Sequence, residues 1–221
     1  MKVVLLILSA LASLPLQAQT GFAKVLFVGN SITKHGPKAD IDWSGNWGMA
    51  ASAESKDYVH LFTRALAEKQ GSEPEILVKN VADFERSHQG YDIAAKLKDA
   101  IDFHADLIVL AIGENISTPK TADETKDLQA NVIALLKSLQ GNRKPVILVR
   151  SCFWANAAKD AVLRSACGEV SGTYCDISHM TTDKTLYGKA EREFKNAGVA
   201  NHPGDKGMAA ISLALMKALS Q

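Results

Sequence analysis

Three short blocks of the 221-residue chain carry side chains suited to acyl transfer. Gly29-Asn30-Ser31-Ile32-Thr33 presents a serine on a tight turn directly after an apolar run. A hydroxyl exposed there can attack a carbonyl, and the serine's own N–H can face the oxyanion that results. The structural alternative is a turn serine that caps a helix. Gly113-Glu114-Asn115 follows another apolar run. Gly113 permits a sharp exit, and the Asn115 amide is a neutral donor suited to a developing negative oxygen. Its structural alternative is an Asx turn. Asn201-His202-Pro203-Gly204 sets a histidine on a loop stiffened by proline. A neutral imidazole is the usual base for a serine hydroxyl. The other histidines lack this setting: His60 falls in an amphipathic helix, and His35 follows Ser31 closely enough to line a pocket. His88, His104 and His179 carry no catalytic signal of their own.

The elements that must hold these blocks alternate between two periodicities. Lys24–Gly29, residues 76–81, 107–112 and 145–150 are short, continuous apolar runs, the pattern of strands buried on both faces of a parallel sheet. Between them, residues 55–70, 90–102, 122–139 and 157–167 repeat apolar side chains at helical spacing. A weaker strand near 173–178 and a helix over 205–219 close the chain. The expected fold is α/β with three layers, a flavodoxin-like, doubly wound five-stranded parallel sheet in the order 2-1-3-4-5. Sites in such sheets lie at the carboxyl ends of the strands, beside the point where strand order reverses. Ser31, Glu85, Asn115, Arg150 and Trp154 all fall at or just beyond strand ends.

The order Gly-Asn-Ser-Ile-Thr, Gly-x-Asn and a late His-Pro resembles the SGNH (GDSL-like) hydrolase superfamily, in particular a subgroup of exported bacterial esterases. The resemblance spans almost the whole chain beyond residue 18. It implies ester hydrolysis through an acyl-serine intermediate, with Ser31 as nucleophile, Asn115 as oxyanion donor and His202 as general base. Two positions depart from the family pattern. An Asp is usual three residues before the histidine, where this chain has Val199. A backbone carbonyl near Val199 or Ala200 is the favoured substitute partner for His202, with Glu114 and Glu85 as the alternatives. Asp205 reads as the N-cap of the last helix. The family also places a Gly after the second strand, whose N–H joins the oxyanion hole. Here the segment runs Val81 to Arg86 without glycine, and the N–H of Phe84 or Glu85 is expected to stand in.

The connection from Lys34 to Ser55 is long for a compact domain, and long connections are often functional. Trp43, Trp47 and, after the fourth strand, Trp154 either wall a sugar or acyl site or seal loops onto the sheet. Arg150 and Glu114 end neighbouring strands and are expected to form an ion pair beneath the pocket, the alternative being an arginine that binds a substrate carboxylate.

The leading residues have a secretory pattern: Lys2, an apolar run from Val3 to Leu16, then Leu16-Gln17-Ala18 as a small-residue cleavage site. Residues 1–18 are therefore read as a signal peptide and 19–221 as a single domain, exported to the periplasm or secreted, without a transmembrane anchor. Cys152, Cys167 and Cys175 allow one disulfide with one thiol left over, and spacing does not choose the pair. No CxxC or HxxxH spacing calls for a metal, and neither GxGxxG nor GxxxxGK[ST] follows a strand, so no cofactor is expected. A net charge of +1 gives no reason to expect nucleic acid. The expected partner is a small-molecule or carbohydrate ester, with a short acyl group such as acetyl on a sugar as the leading substrate. The alternatives are a lipase- or thioesterase-type acyl hydrolase and a degenerate, non-catalytic glycan-binding protein.

Overall fold

The computed structural model describes residues 21–220, so the leader assigned to residues 1–18 lies outside the described residues. In chain order the elements are β1 (Lys24–Gly29), α1 (Tyr58–Gln70), β2 (Glu75–Asn80), α2 (Ala82–Arg86), α3 (Ile93–Lys96), α4 (Lys98–Asp102), β3 (Leu107–Ala111), α5 (Ala122–Gln140), β4 (Val146–Arg150), α6 (Ala157–Glu169), β5 (Thr173–Cys175), α7 (Ala197–Ala200) and α8 (Asp205–Ala218). The five strands pair in parallel in the order β2-β1-β3-β4-β5. This is the three-layer α/β/α fold that the alternating periodicities predict.

Both faces of the sheet are covered, which is why its strands lack a polar face. Val25, Phe27, Leu107, Val109 and Leu148 pack under α1 and α8. Leu26, Val28, Ile108, Leu110, Ile147 and Val149 pack under the opposite layer, built from α2 to α6. Side chains fix the helix starts: Asp57 caps α1 through His60 N at 2.8 Å, and Thr121, Asn156 and Asn196 cap α5, α6 and α7. Gly71, at φ +75°, closes α1 in the left-handed conformation.

The structure departs from the periodicity in three places. The stretch 90–102 is two short helices, because Leu97 leaves helical geometry at φ −118°, ψ 24° and Asp92 separately caps α3. The last strand stops at Cys175 rather than 178, since the Asp176 carboxylate accepts the Ser178 N–H at 2.9 Å and turns the chain. The disulfide that three cysteines allow is not formed: Cys152, Cys167 and Cys175 are all free and buried. Cys175 packs on the α1/α8 side, and Cys152 and Cys167 pack on the other, so the sheet separates Cys175 from both. Among the described residues no helix is long and apolar enough to cross a membrane.

The end of β1 is the most tightly packed turn in the fold. A Cβ on Gly29 would lie 1.9 Å from Thr33 Oγ1 and 2.7 Å from the Ala111 carbonyl of β3. Replacing Gly29 with Ala forces two paired strands apart where Ser31 follows. Gly29→Ala is expected to lower stability by about 1–3 kcal/mol, read as a drop in the guanidinium midpoint at unchanged m-value. An unchanged midpoint would show that the turn relaxes freely.

Candidate active site

The turn after β1 is built by Asn30. Its carbonyl accepts the N–H groups of Thr33 and Lys34, each at 2.9 Å, and its side-chain oxygen accepts Ile32 N at 3.1 Å. This compact turn lifts Ser31 to the carboxyl edge of the sheet. The Ser31 carbonyl receives Met49 N at 2.8 Å, which ties the long connection back over the turn. Among the described residues no acceptor takes the Ser31 N–H.

His202 reaches the same edge from the loop between α7 and α8. That loop is pinned along its length. His202 N donates to Val199 O at 3.0 Å, Gly188 N donates to His202 O at 2.8 Å, and Gly204 N donates to Leu186 O at 2.9 Å. The Ser31 hydroxyl lies 2.8 Å from His202 Nε2, and His202 Nδ1 lies 2.8 Å from the Gly198 carbonyl oxygen. A carbonyl only accepts, so Nδ1 carries the hydrogen and Nε2 presents its lone pair to the serine. The favoured carbonyl partner for His202 is present, contributed by Gly198 rather than Val199 or Ala200. Val199, in the place of the expected Asp, is buried with Trp43, Met49 and Ala50 and holds the long connection against α7. The Trp154 ring meets the imidazole edge-on, with centroids 5.2 Å apart. Burial favours the neutral imidazole and moves the His202 pKa below its ordinary value, although the Gly198 carbonyl acts in the opposite sense.

Neither carboxylate considered as a partner for His202 bonds to it; both serve a buried network. Arg150, with no exposed surface, donates to Glu114 Oε1 at 2.7 Å, so the expected ion pair forms. Glu114 Oε1 also accepts Phe153 N at 2.9 Å, and Oε2 accepts Asn30 Nδ2 at 2.6 Å. Asn30 Nδ2 donates in addition to Glu85 Oε1 at 3.1 Å. Glu85 then takes Gly113 N and Asn115 Nδ2, both at 2.6 Å. Burial works against the Glu114 charge, but the Arg150 guanidinium holds its carboxyl below the usual glutamate range. Burial, and then the charge of Glu114, push the Glu85 carboxyl up.

The block after β3 is held from behind. Gly113 sits at φ +123°, and a Cβ there would lie 2.4 Å from Cys152 Sγ. The Lys159 ammonium, buried at the start of α6, donates to the carbonyls of Gly113 at 2.7 Å and Ile116 at 3.3 Å. The loop therefore turns sharply and brings Asn115 beside Ser31 and His202 in an open pocket of about 500 Å³.

The structure reassigns several expected pocket residues. Phe84 N donates to Asp83 Oδ1 at 2.9 Å and Glu85 N to the Val81 carbonyl at 3.1 Å, so both N–H groups are occupied, and the Phe84 ring is buried against Tyr91 and His88. Ala82 and Asp83, which open α2, line it instead, with Asn80 and Arg86 nearby. Ala82 N turns to Asn80 Oδ1 at 2.9 Å, which leaves Asp83 N as the free donor of this segment. Trp43 and Trp47 pack edge-to-face at 5.8 Å and direct their indole N–H groups to backbone carbonyls, so they seal the long connection. They line a second groove that shares Ile41, Asn196 and Val199 with the Ser31 pocket. Asp205 is the first residue of α8 rather than its cap; its carboxylate holds Ser52. Glu191 takes the cap's place, accepting the N–H groups of Asp205 and Lys206 at 2.7 Å each. Nothing local in the sequence marks Glu191, because it precedes the helix by a full loop. Among the described residues no group of three or more His, Cys, Asp or Glu side chains is disposed to hold a metal ion.

No family model matches the chain, and no curated protein matches it in sequence. Solved structures do share the fold. One, described as a GDSL-like lipase from Parabacteroides merdae, superposes with a TM-score of 0.57 at 16% identity, covering 90% of this chain and 96% of that one. A two-domain esterase active on acetylated mannans, crystallised with mannopentaose, gives 0.58 at 13% identity, with 89% of this chain covered. This chain spans about half of that larger protein, 48% of its length. A family two carbohydrate esterase from Cellvibrio japonicus gives 0.50 at 20% identity, covering 90% of this chain and 60% of that one.

Two measurements test this geometry directly. The His202 imidazole is expected to titrate below 6.5 in an NMR pH series, assigned by its loss in His202→Gln; a midpoint above that value would contradict its burial. Arg150→Met leaves the Glu114 carboxylate buried without its cation. It is expected to cost about 3–5 kcal/mol of unfolding free energy, and a wild-type denaturation midpoint would rule out that dependence.

Proposed function

We propose that the chain is an SGNH-type serine esterase. The observation that carries this reading is the hydrogen-bonded chain Ser31 Oγ to His202 Nε2 and His202 Nδ1 to Gly198 O, each step 2.8 Å. Ser31 attacks the ester carbonyl while His202 takes its proton. The Ser31 N–H, the Asn115 side-chain amide and the Asp83 N–H at the start of α2 receive the oxyanion. His202 returns the proton to the departing alcohol, leaving an acyl-serine. A water, deprotonated by His202, then attacks the acyl carbon, and the acid leaves as Ser31 recovers its hydrogen.

The leading substrate is a short acyl group, such as acetyl, on a carbohydrate. Two features support it. The pocket is open and adjoins a second groove, the two sharing Ile41, Asn196 and Val199 in their walls, which offers surface for a sugar chain beside the scissile bond. Fold neighbours include esterases described as acting on acetylated mannan and acetyl xylan. We read residues 1–18 as a removable leader and 19–221 as one exported domain, supported by the charged, apolar and small-residue order of the N-terminal segment.

The mature protein is expected to hydrolyse p-nitrophenyl acetate and to be labelled by a fluorophosphonate probe. Ser31→Ala should lose both, with turnover falling by more than about a thousandfold. Equal rates in the two proteins would leave Ser31 without a catalytic part and favour a binding role for the pocket.

A further inference from the structure

An oxyanion donor supplied by an asparagine side chain has a weakness that a backbone N–H lacks. The amide rotates, and half a turn presents an oxygen to the developing charge instead of an N–H. Lys159 fixes the backbone of the 113–116 loop but has no contact with the Asn115 amide. Two other side chains meet that amide from opposite ends. Glu85 Oε2 accepts Asn115 Nδ2 at 2.6 Å, and Arg86 Nη2 donates to Asn115 Oδ1 at 3.3 Å. An ionised carboxylate only accepts and a guanidinium only donates, so each rejects the flipped amide. One Nδ2 hydrogen is spent on Glu85; the other is left for the pocket that Asn115 shares with Ser31 and His202.

We propose that Glu85 and Arg86 are positioning residues that lock the Asn115 amide with its free N–H toward the reacting carbonyl. The inference rests on the esterase reading above. Every partner of the Glu85 carboxylate is a donor: Gly113 N, Asn30 Nδ2 and Asn115 N on Oε1, and Asn115 Nδ2 on Oε2. A glutamine there must turn its own NH₂ toward at least one of them, so an isosteric change is enough to disturb the lock. Arg86 differs in being exposed and in having no carboxylate within ion-pair distance among the described residues. Its other guanidinium contact, Nη1 to Ala82 O at 3.3 Å, braces it across the start of α2. The two adjacent residues thus reach the two ends of one amide from a single short helix.

The test is a double-mutant cycle on p-nitrophenyl acetate with kcat and KM separated. Asn115→Ala is expected to lower kcat by about a hundredfold or more. Glu85→Gln is expected to lower kcat by about tenfold to a hundredfold, the effect of a donor displaced by around an ångström, at unchanged KM. Arg86→Gln is expected to lower kcat about threefold to tenfold, again at unchanged KM and as a smaller version of the same displacement. In the Asn115→Ala background Arg86→Gln should change kcat by less than about twofold, because the amide it acts through is gone, and Glu85→Gln should cost several-fold less than it does alone, keeping only what it loses at Gly113 and Asn30. A Glu85→Gln protein with wild-type kcat overturns the proposal, as does full additivity with Asn115→Ala. If Glu85→Gln fails to fold, the exposed Arg86 decides: a raised KM at wild-type kcat makes it a substrate contact, and wild-type kinetics leave it idle. Either result overturns the lock. Failure of the esterase reading is distinguishable, because the unmutated protein would then neither turn over nor react with the fluorophosphonate probe.

Discussion

The amide of Asn30 joins the two acidic side chains around which the catalytic edge is organised. Its Nδ2 donates to Glu114 at 2.6 Å and to Glu85 at 3.1 Å, while its oxygen shapes the turn that presents Ser31. Two carboxylates brought this close out of water repel one another, and each loses hydration. The structure answers with one cation and several dipoles. Arg150 neutralises Glu114, and Glu85 is surrounded by N–H donors from Asn30, Gly113 and Asn115. The ends of β1, β3 and β4, together with the short helix after β2, are thereby linked by charged hydrogen bonds rather than by apolar packing alone. A buried pair of this kind contributes little net stability compared with a well-packed apolar substitute. What it contributes here is geometry, because the strand ends that carry Ser31 and Asn115 cannot shift independently of one another.

The same edge is closed from the α8 side by segments distant in sequence. Glu191 supplies the acceptors that the first turn of α8 lacks, and Tyr187 pairs with Pro203 beside His202. Gly207 lets α8 approach the Leu186 carbonyl, to which a Cβ would lie only 2.2 Å away. The His202 loop is therefore held by its neighbours rather than by its own turn chemistry. A base on a loop with this many backbone contacts keeps its orientation at small entropic cost, since the loop is ordered already.

Strong periodicity and short blocks made most of this legible in the sequence. The sheet order, the covered faces and the Arg150–Glu114 pair follow from the apolar runs and from which residues end which strands, and the pairing of Ser31 with His202 is what the family resemblance implies. The rest depends on which partner a side chain finds in the folded chain, near or far. Glu85 looked like a source of an N–H because its place in the chain matched a glycine in a family pattern; its role is carried by its carboxylate, which reaches a loop thirty residues on. Trp43 and Trp47 each direct the indole N–H to a backbone carbonyl and pack edge-to-face, so they seal the long connection while still lining the second groove. The helix over 90–102 broke at Leu97 because a second cap, Asp92, competes with continuity. In each case the residue type is informative and the particular partner it finds decides the outcome.

Under the proposed esterase reading, Val199 in the place of the resembled family's usual Asp illustrates the same logic in the chemistry. A carboxylate behind a catalytic histidine does two separable things: it fixes the tautomer and it stabilises the imidazolium that forms. The Gly198 carbonyl does the first as well as a carboxylate can, since it too only accepts. It does the second weakly, as a dipole rather than a charge. The carboxylate charge that acts on His202 is that of Glu114, which favours the imidazolium without a hydrogen bond to it. Glu114 is itself paired with Arg150, so its field at the histidine is partly cancelled, and burial then keeps the resting imidazole neutral. A site built this way holds the resting imidazole neutral and ready to accept a proton, but gains less from holding it. The demand on the oxyanion side of the reaction rises accordingly, which is where the buried hydrogen bonds around Asn115 are concentrated. An apolar Val199 is then compatible with catalysis because orientation, not charge, is what its loop must supply.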